Sequence, residues 1–233
     1  MYVYGKNVAK EMIDTNKEIK RAILYKNFSD TKIINSLKRL NVPIKYLEKK
    51  EMNNIVDGMH QGIILDVPDF DYADIDTFIN DDDSLVVILD HISDPHNFGA
   101  IIRTCEAAGV TGIIIPKDRS ITVNSTVIKV STGAINNMPI VKVTNLARTI
   151  EYLKDKGFWI VGTDMNATPY YEIDYSGKTA IVIGNEGDGM TRLVRQSCDF
   201  IASIPMLGTT NSLNASVATG IIVYEAIKCR KKD

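Results

Sequence analysis

Residues 90–110 hold the first side chains whose types and spacing suit chemistry. They directly follow the apolar run LVVIL at 85–89, and an Asp-Pro pair followed by Asn97 and Gly99 predicts a turn and a helix start. Arg103 lies near that start, off the apolar stripe of the predicted helix. A helix N-terminus with an adjacent guanidinium and amide is suited to grip a phosphate. A surface or ion-pairing role for Arg103 is the simpler alternative.

A second polar group lies in residues 181–190, where the strand-like run IVIG leads into the glycine-rich loop NEGDGM. Gly184, Gly187 and Gly189 would let the backbone come close to a ligand, and Glu186 places a carboxylate in the same loop. An ordinary turn between a strand and a helix is the alternative interpretation.

A third polar group lies in residues 204–226, where Ile-Pro leaves a strand and a polar loop leads into a helix. Ser212, Asn214 and Ser216 supply hydroxyl and amide groups around the helix start. Simple helix capping is the alternative, because capping favours these residue types. The small residues that follow would let the helix pack closely against a core layer or a second subunit.

The elements that position these groups are strands of one predicted sheet. Apolar runs of strand length occur at 85–89, 112–115, 158–162, 180–184 and 200–205, separated by helical patterns at 100–108, 146–156 and 213–228. Unbroken apolar strands that alternate with helices predict a parallel sheet covered on both faces. Ligands of such sheets bind beyond the carboxyl ends of the strands. The residues that follow the strands are therefore the candidates for a ligand site.

The first 68 residues have a pattern of their own. Helical spacing at 8–12 and 33–40 alternates with strand-like runs at 21–25, 44–47 and 62–67, which predicts a small α/β domain of three or four strands. Residues 68–84, PDFDYADIDTFINDDDS, combine a proline with an acidic run and predict a linker or an exposed connection. The predicted division is a small α/β domain at 1–68, an acidic linker at 69–84 and a larger α/β domain at 85–233.

Composition narrows the class of protein. With 45% hydrophobic and 24% charged residues, the 233-residue chain can bury a proper core. Charges stand in the N-terminal residues where a signal peptide needs an apolar run, and no stretch approaches the roughly 20 apolar residues of a membrane span. The three widely spaced cysteines favour neither a disulfide framework nor a zinc site. We therefore expect a cytoplasmic protein without a membrane segment or a metal.

Charge is distributed unevenly along the chain. The net charge is −2, yet residues 1–68 hold 12 Lys/Arg against 8 Asp/Glu, and residues 69–84 hold 7 Asp and no basic residue. The mild basic excess at the N-terminus could help to hold phosphates, although a solvated surface explains it equally well. A dinucleotide-binding oxidoreductase is disfavoured, because GNEGDG has the wrong spacing for its fingerprint.

In their order along the chain and in their residue pattern, the three polar segments resemble the three motifs of the SpoU/TrmH family of SPOUT RNA 2′-O-methyltransferases. The matching positions are Asn97, Gly99, Arg103 and Thr104 in the first motif, Gly184, Glu186, Gly187 and Gly189 in the second, and Pro205, Ser212, Leu213, Asn214, Ser216, Ala218 and Gly220 in the third. VYGKNVAKEMI at 3–13 and HQGI at 60–63 are similar to the substrate-binding domain of the subgroup that methylates a guanosine in 23S rRNA. The resemblance covers nearly the whole chain.

The resemblance implies a fold, a cofactor and partners. The C-terminal domain would be a trefoil knot with a largely parallel sheet, the cofactor S-adenosyl-L-methionine, the substrate RNA, and the active form a homodimer whose active sites take residues from both subunits. The implied catalytic residues are Arg103, Asn97, Glu186, Ser212 and Asn214. The implied cofactor-binding residues are Gly184, Asn185, Gly187, Ile204, Met206 and Leu213.

The family resemblance implies that Arg103 is the most important of these catalytic residues. An arginine keeps its proton at neutral pH and is a poor general base, so we expect Arg103 to position phosphate and ribose, with Glu186 or a water taking the proton. The alternatives to a 23S rRNA guanosine are a tRNA or a 23S rRNA adenosine, and a non-catalytic RNA-binding protein is the alternative of another class. His60, His91 and His96 are not assigned to catalysis.

Overall fold

The computed structural model describes residues 1–79 and 82–230. The chain forms two compact units. The first consists of Met1–Asp71 with Val123–Lys129, and the second of the rest of the described chain. No helix within these described ranges is both long and apolar enough to cross a membrane.

The first unit is a four-stranded sheet with helices. Its elements are β1 (Tyr2–Tyr4), α1 (Lys6–Asp14), β2 (Arg21–Tyr25), α2 (Thr31–Arg39), β3 (Ile44–Leu47), α3 (Lys49–Asn53) and β4 (Ile63–Asp66). The strand order is β1-β4-β2-β3, with β2 and β3 parallel and the other two pairs antiparallel. The predicted strands at 21–25 and 44–47 are confirmed with the same bounds. β1 was not predicted, because three residues are too few to show a period.

The core of the first unit lies between this sheet and its helices. α2 begins where the side chain of Asp30 accepts a hydrogen bond from the backbone N–H of Ile33 at 3.3 Å, which caps the helix. The apolar residues of α2 then recur four positions apart, so Ile33 and Leu37 fall on one buried face. In β2 and β4, Ile23 and Ile64 are buried together with Met52 of α3.

The second unit is built on a six-stranded sheet. Its elements are β5 (Leu85–Asp90), α4 (Pro95–Ala108), β6 (Gly112–Pro116), β7 (Ile140–Val143), α6 (Leu146–Asp155), β8 (Trp159–Pro169), β9 (Thr179–Gly184), α7 (Arg192–Gln196), β10 (Phe200–Ser203) and α8 (Ala215–Arg230), while α5 (Ser125–Ser131) begins in the segment that belongs to the first unit. The order is β10-β8-β9-β5-β6-β7, and all five pairs are parallel. The predicted parallel sheet is confirmed. β5, buried at every position, lies inside the sheet with a partner on each side.

The segment predicted as an acidic linker is partly packed into the second unit. Ala73 forms a parallel bridge with Val141 of β7, and Phe78 and Ile79 are only 3% and 1% exposed. The Phe78 ring lies so close to Gly112 that a Cβ there would be 2.5 Å from it. Residues 80 and 81 of the predicted linker lie outside the described residues, and the boundaries at 68/69 and 84/85 stay a prediction.

Candidate active site

Two of the three polar segments begin side by side at the carboxyl edge of the sheet. β5 and β9 are adjacent parallel strands, and their last residues, Asp90 and Gly184, are register partners. The loops that leave these strands therefore start next to each other. The third segment follows β10, which lies two strands away from β9 in the same parallel sheet.

Asp90 ties the first loop to the second. Its carboxyl group is fully buried, accepts a hydrogen bond from the backbone N–H of Thr191 at 2.6 Å, and pairs with Nδ1 of His91. The carbonyl of His91 in turn accepts a hydrogen bond from Nδ2 of Asn185 at 2.8 Å. Asp90 was not predicted as a site residue from the sequence. The signal that could have identified it is a carboxylate directly at the end of an apolar, buried strand, where an unpaired charge is rarely found.

The second loop is a tight turn. Asn185 and Gly189 exchange two backbone hydrogen bonds of 3.0 Å, and the side chain of Asn185 accepts from the backbone N–H of Gly187 at 2.9 Å. A Cβ on Gly184 would lie 2.4 Å from the carbonyl carbon of Gly189, so only glycine fits at the end of β9. This close approach of backbone to backbone places Glu186 at the exposed tip of the turn.

A chain of hydrogen bonds then joins all three segments. Nδ2 of Asn97 donates to Oε1 of Glu186 at 2.6 Å, and Nδ2 of Asn214 donates to Oδ1 of Asn97 at 2.8 Å. Oδ1 of Asn214 accepts from both the backbone N–H and the hydroxyl of Ser216, at 2.9 and 2.6 Å. Asn97 is only 7% exposed, so the central link of the chain is shielded from water.

The two ends of this chain fix its direction. The backbone N–H of Ser216 can only donate, so Asn214 presents its oxygen to it and its amino group to Asn97. Asn97 must then turn its own amino group to Glu186, which as a carboxylate can only accept. The network therefore holds the carboxylate of Glu186 in one place.

The loop from 205 to 214 is exposed at every position. It carries apolar side chains into solvent, with Met206 and Leu213 each 36% exposed and Leu207 99% exposed. Ile204, at the start of the loop, is half-buried. Asn97 links the last residue of this loop to the turn of Glu186, so this end of the loop is tied to the glycine turn.

The structure does not bring Arg103 or Ser212 into this network. Arg103 is exposed and is the ninth residue of α4, roughly 12 Å along the axis from the first residue at 1.5 Å per residue. It therefore lies farther from the helix start than the sequence indicated. Six residues separate it from Asn97, which puts it about 120° around the helix at 100° per residue. Ser212 lies in the exposed loop.

Two of the three histidines lie close to this site in the chain. His91 has a positive φ of 61° and acts through its carbonyl and its bond to Asp90. His96 is exposed in the first turn of α4. Within residues 1–79 and 82–230, no group of three or more His, Cys, Asp or Glu side chains is placed to hold a metal ion.

Comparison with known proteins matches a family profile to each of the two units. The profile of the SpoU rRNA Methylase family matches residues 84–224, which is more than half of the chain. The chain belongs to the SpoU/TrmH family of RNA methyltransferases. A second profile, RNA 2′-O ribose methyltransferase substrate binding, matches residues 2–73.

Relatives of the family agree with this assignment. A Staphylococcus saprophyticus protein named as a TrmH family tRNA/rRNA methyltransferase is 44% identical over 237 residues, covering 98% of this chain and 95% of the relative. The crystal structure of the SpoU methyltransferase AviRb from Streptomyces viridochromogenes, in complex with the cofactor AdoMet, has a TM-score of 0.79 at 24% identity and covers 100% of this chain and 91% of its own. The A. aeolicus TrmH/SpoU tRNA modifying enzyme is 34% identical with a TM-score of 0.59, covering 67% and 79%.

These matches confirm the predicted fold class. It is a small N-terminal α/β substrate-binding domain followed by an α/β domain of the SPOUT, trefoil-knot type with a parallel sheet.

The family uses S-adenosylmethionine, and the residues present fit it. A sulfonium nucleoside needs apolar walls and backbone groups that can come close, and the exposed loop at 205–214 and the glycine turn after Gly184 offer both. When bound, this cofactor supplies an electrophilic methyl group.

Proposed function

We propose that the chain methylates the 2′-oxygen of a ribose in RNA, at a guanosine of 23S rRNA. The observation that carries the chemistry is the hydrogen-bond chain from Ser216 through Asn214 and Asn97 to Glu186. A 2′-hydroxyl must lose its proton as it attacks a methyl group, and Glu186 is a carboxylate held ready at the exposed end of that chain. The family of the chain and the match of residues 2–73 to an RNA 2′-O ribose methyltransferase domain support the substrate class.

The geometry supports the following roles for the site residues. Oε1 of Glu186 is occupied by Asn97, which leaves Oε2 to accept the proton from the 2′-hydroxyl. Asn97 and Asn214 act as positioning residues, since each makes its contacts to other side chains. A positioned general base typically raises a rate by about 10²- to 10⁴-fold, which is the contribution proposed for the fixed carboxylate. Gly184, Asn185, Gly187, Ile204, Met206 and Leu213 are proposed to hold the cofactor, and Ser212 to contact the substrates.

Arg103 is proposed to bind the target phosphate in the active site of a second copy of the chain. Its side chain is exposed and lies about a third of a turn around α4 from Asn97, so it does not face the network of its own chain. Val217 and Tyr224 on α8, the helix that packs on α4, are 50% and 52% exposed. These exposed apolar side chains support a homodimer in which α8 is covered.

A mixing experiment tests the roles and the dimer together. Arg103→Ala and Glu186→Gln are each expected to abolish methyl transfer. If Arg103 serves the partner's site, random mixing of the two variants restores about a quarter of the activity, because half of the dimers are mixed and each has one complete site. Activity that stays at zero after mixing, with mixed dimers shown by native mass spectrometry, would place Arg103 in its own subunit's site.

The substrate class is tested by transfer of labelled methyl from S-adenosylmethionine. Unmodified 23S rRNA and an unmodified tRNA pool are offered in separate reactions, with Glu186→Gln as the inactive control. The proposal expects label in the 23S rRNA. Label only in tRNA would keep the chemistry and overturn the substrate, and binding of RNA without transfer to either would favour a non-catalytic RNA-binding protein.

A further inference from the structure

The first unit contains a cavity of about 530 Å³, and none of its lining residues belongs to the candidate active site. Pockets of roughly 300–1,000 Å³ are the size that small ligands occupy in proteins. Its wall includes two aromatic rings, Tyr25 and Phe28, and two lysines, Lys6 and Lys49. Side-chain amides are also part of the lining, and all of the lining residues lie within Met1–Asp71.

Buried His60 fixes one of these amides. Nδ1 of His60 accepts a hydrogen bond from the backbone N–H of Gly62 at 3.0 Å, so the ring proton is on Nε2. Nε2 then donates to Oδ1 of Asn53 at 2.9 Å. Burial, and to a smaller extent the charge of Lys49, lowers the pKa of His60, which agrees with a neutral ring. The oxygen of Asn53 is thereby used, and its amino group is left as a donor to a ligand.

The side-chain amide of Gln61 is likewise held in one orientation. Its Oε1 accepts the backbone N–H of Lys6 at 2.9 Å, which leaves its amino group as a second donor. Its φ of 52° is one that non-glycine residues seldom adopt, so this backbone is held by its surroundings. The cavity therefore has two oriented amide donors, and the edges of nucleobases carry the carbonyl and ring-nitrogen acceptors that such donors recognise.

The Phe28 ring offers a stacking surface. One side of the ring packs near the backbone of Gly62, where a Cβ would be 3.1 Å from it. The ammonium of Lys6 lies 5.4 Å from the ring centroid. An exposed contact between a cation and an aromatic ring is weak, so a base can take the place of the ammonium, which would then be free to pair with a phosphate.

We infer that this cavity binds one unpaired nucleotide of the RNA substrate, with the base stacked on Phe28 and read by Asn53 and Gln61. Specific recognition of RNA relies on unstacked bases that lie on aromatic side chains and present their edges to polar groups. The cavity combines an aromatic ring, oriented hydrogen-bond donors and lysines, which are the groups that bind an unstacked base and its phosphate. The inference rests on the proposed function, and it gives the first unit a defined nucleotide site.

The test uses the full chain and a fluorescein-labelled 12-nucleotide single-stranded RNA of mixed sequence, with fluorescence anisotropy as the readout. Asn53→Asp keeps the oxygen that His60 binds and replaces the free donor by an anionic oxygen, so the fold is retained while the ligand contact is lost. The matched control is Asn54→Asp, the same change at the next residue, which is exposed and does not line the cavity. We expect Asn53→Asp to weaken binding at least about 5-fold, the loss of one hydrogen bond, and Asn54→Asp by less than about 2-fold.

A second pair of variants tests stacking. Phe28→Ala should weaken binding by about 5- to 150-fold, the range measured for loss of a base–aromatic contact, while Phe28→Tyr keeps a ring and should bind as the wild type does. Thermal unfolding of each variant is measured alongside, and Phe28→Leu replaces Phe28→Ala if the latter unfolds early. A duplex of the same sequence should be insensitive to all of these changes.

Equal effects of Asn53→Asp and Asn54→Asp, or equal binding by Phe28→Leu and Phe28→Tyr, would overturn the inference. The methyl-transfer assay separates this failure from failure of the proposed function. If the wild type methylates RNA while the cavity variants bind normally, the cavity assignment is wrong and the function stands. If the variants differ as expected but no RNA is methylated, the cavity assignment stands and the function is wrong.

Discussion

Asn214 links a helix cap to the candidate catalytic carboxylate, and the Asn214→Asp substitution separates the two roles. Its Oδ1 accepts the backbone N–H of Ser216 at the start of α8, while its Nδ2 donates to Asn97. Aspartate keeps the capping oxygen and adds a negative charge at a helix N-terminus, which is a favourable position for it. It has no group that can donate to Oδ1 of Asn97.

The magnitude follows from the contact that is lost. Asn97 is 93% buried, and leaving its Oδ1 opposite a carboxylate oxygen costs about 1–3 kcal/mol as an unsatisfied buried acceptor. Asn97 can relieve that cost by turning its amide over, which breaks its hydrogen bond to Glu186. If the whole amount appears in the transition state, methyl transfer falls by about 5- to 150-fold, since each 1.36 kcal/mol is tenfold.

The assay is single-turnover methyl transfer measured together with thermal unfolding. Asn145→Asp is the matched control, because Asn145 caps α6 in the same way and its Oδ1 accepts the backbone N–H of Arg148 at 3.0 Å. Asn145→Asp should unfold near the wild-type temperature, and Asn214→Asp no more than about 2–12 °C below it, which is the shift that 1–3 kcal/mol corresponds to. Only Asn214→Asp should lose transfer. Full activity in Asn214→Asp, within twofold of the control, would refute the account of Asn214 as a positioning residue.

Three further changes are predicted from the second unit. Gly184→Ala should abolish stabilisation by S-adenosylmethionine in a thermal-shift assay, because the new methyl would lie 2.4 Å from the backbone of Gly189; a normal shift would contradict the tight turn. Arg230→Lys should destabilise the fold by about 1.5–3 kcal/mol in urea titration, since the guanidinium binds Asp83 and nearby carbonyls and a lysine cannot reach them all. Burial raises the pKa of Cys198 to about 12. In the folded protein the thiol therefore keeps a proton that the unfolded chain releases above about pH 8.5. The free energy of unfolding should fall by about 1.4 kcal/mol per pH unit between these two values. Cys198→Ala should reduce the slope of unfolding free energy against pH in this range by about 1.4 kcal/mol per pH unit, and an unchanged slope would contradict the raised pKa of Cys198.

The apolar runs predicted the sheet well, because a strand with neighbours on both sides must be apolar at every position. β5 is such a strand, and its adjacent, parallel placement beside β9 explains why Asp90 and Gly184 end at the same edge. β7 escaped prediction because Ile140 and Val141 are buried whereas Lys142 and Val143 are half-buried, and this four-residue pattern has no clear period. Short edge strands show their place only through their partners.

The site was predictable as a set of residue types and not as a geometry. Asn97, Glu186 and Asn214 were expected together, but the direction of their hydrogen bonds depends on the backbone N–H of Ser216, which no pattern of residues reveals. The position of Arg103 relative to Asn97 depends on where α4 begins. A shift of one residue in that start would leave their angular separation unchanged, yet it would alter the distance from the helix N-terminus.

Nucleoside mass spectrometry after one reaction tests the proposed methylation of a ribose 2′-oxygen in 23S rRNA. Unmodified 23S rRNA is incubated with the full chain and isotope-labelled S-adenosylmethionine. One portion of the product is digested to nucleosides for mass spectrometry, and a second, undigested portion is mapped by primer extension at low nucleotide concentration. We expect label in 2′-O-methylguanosine at a single site, and none with Glu186→Gln. Label on a base, or the same label with Glu186→Gln, would contradict it.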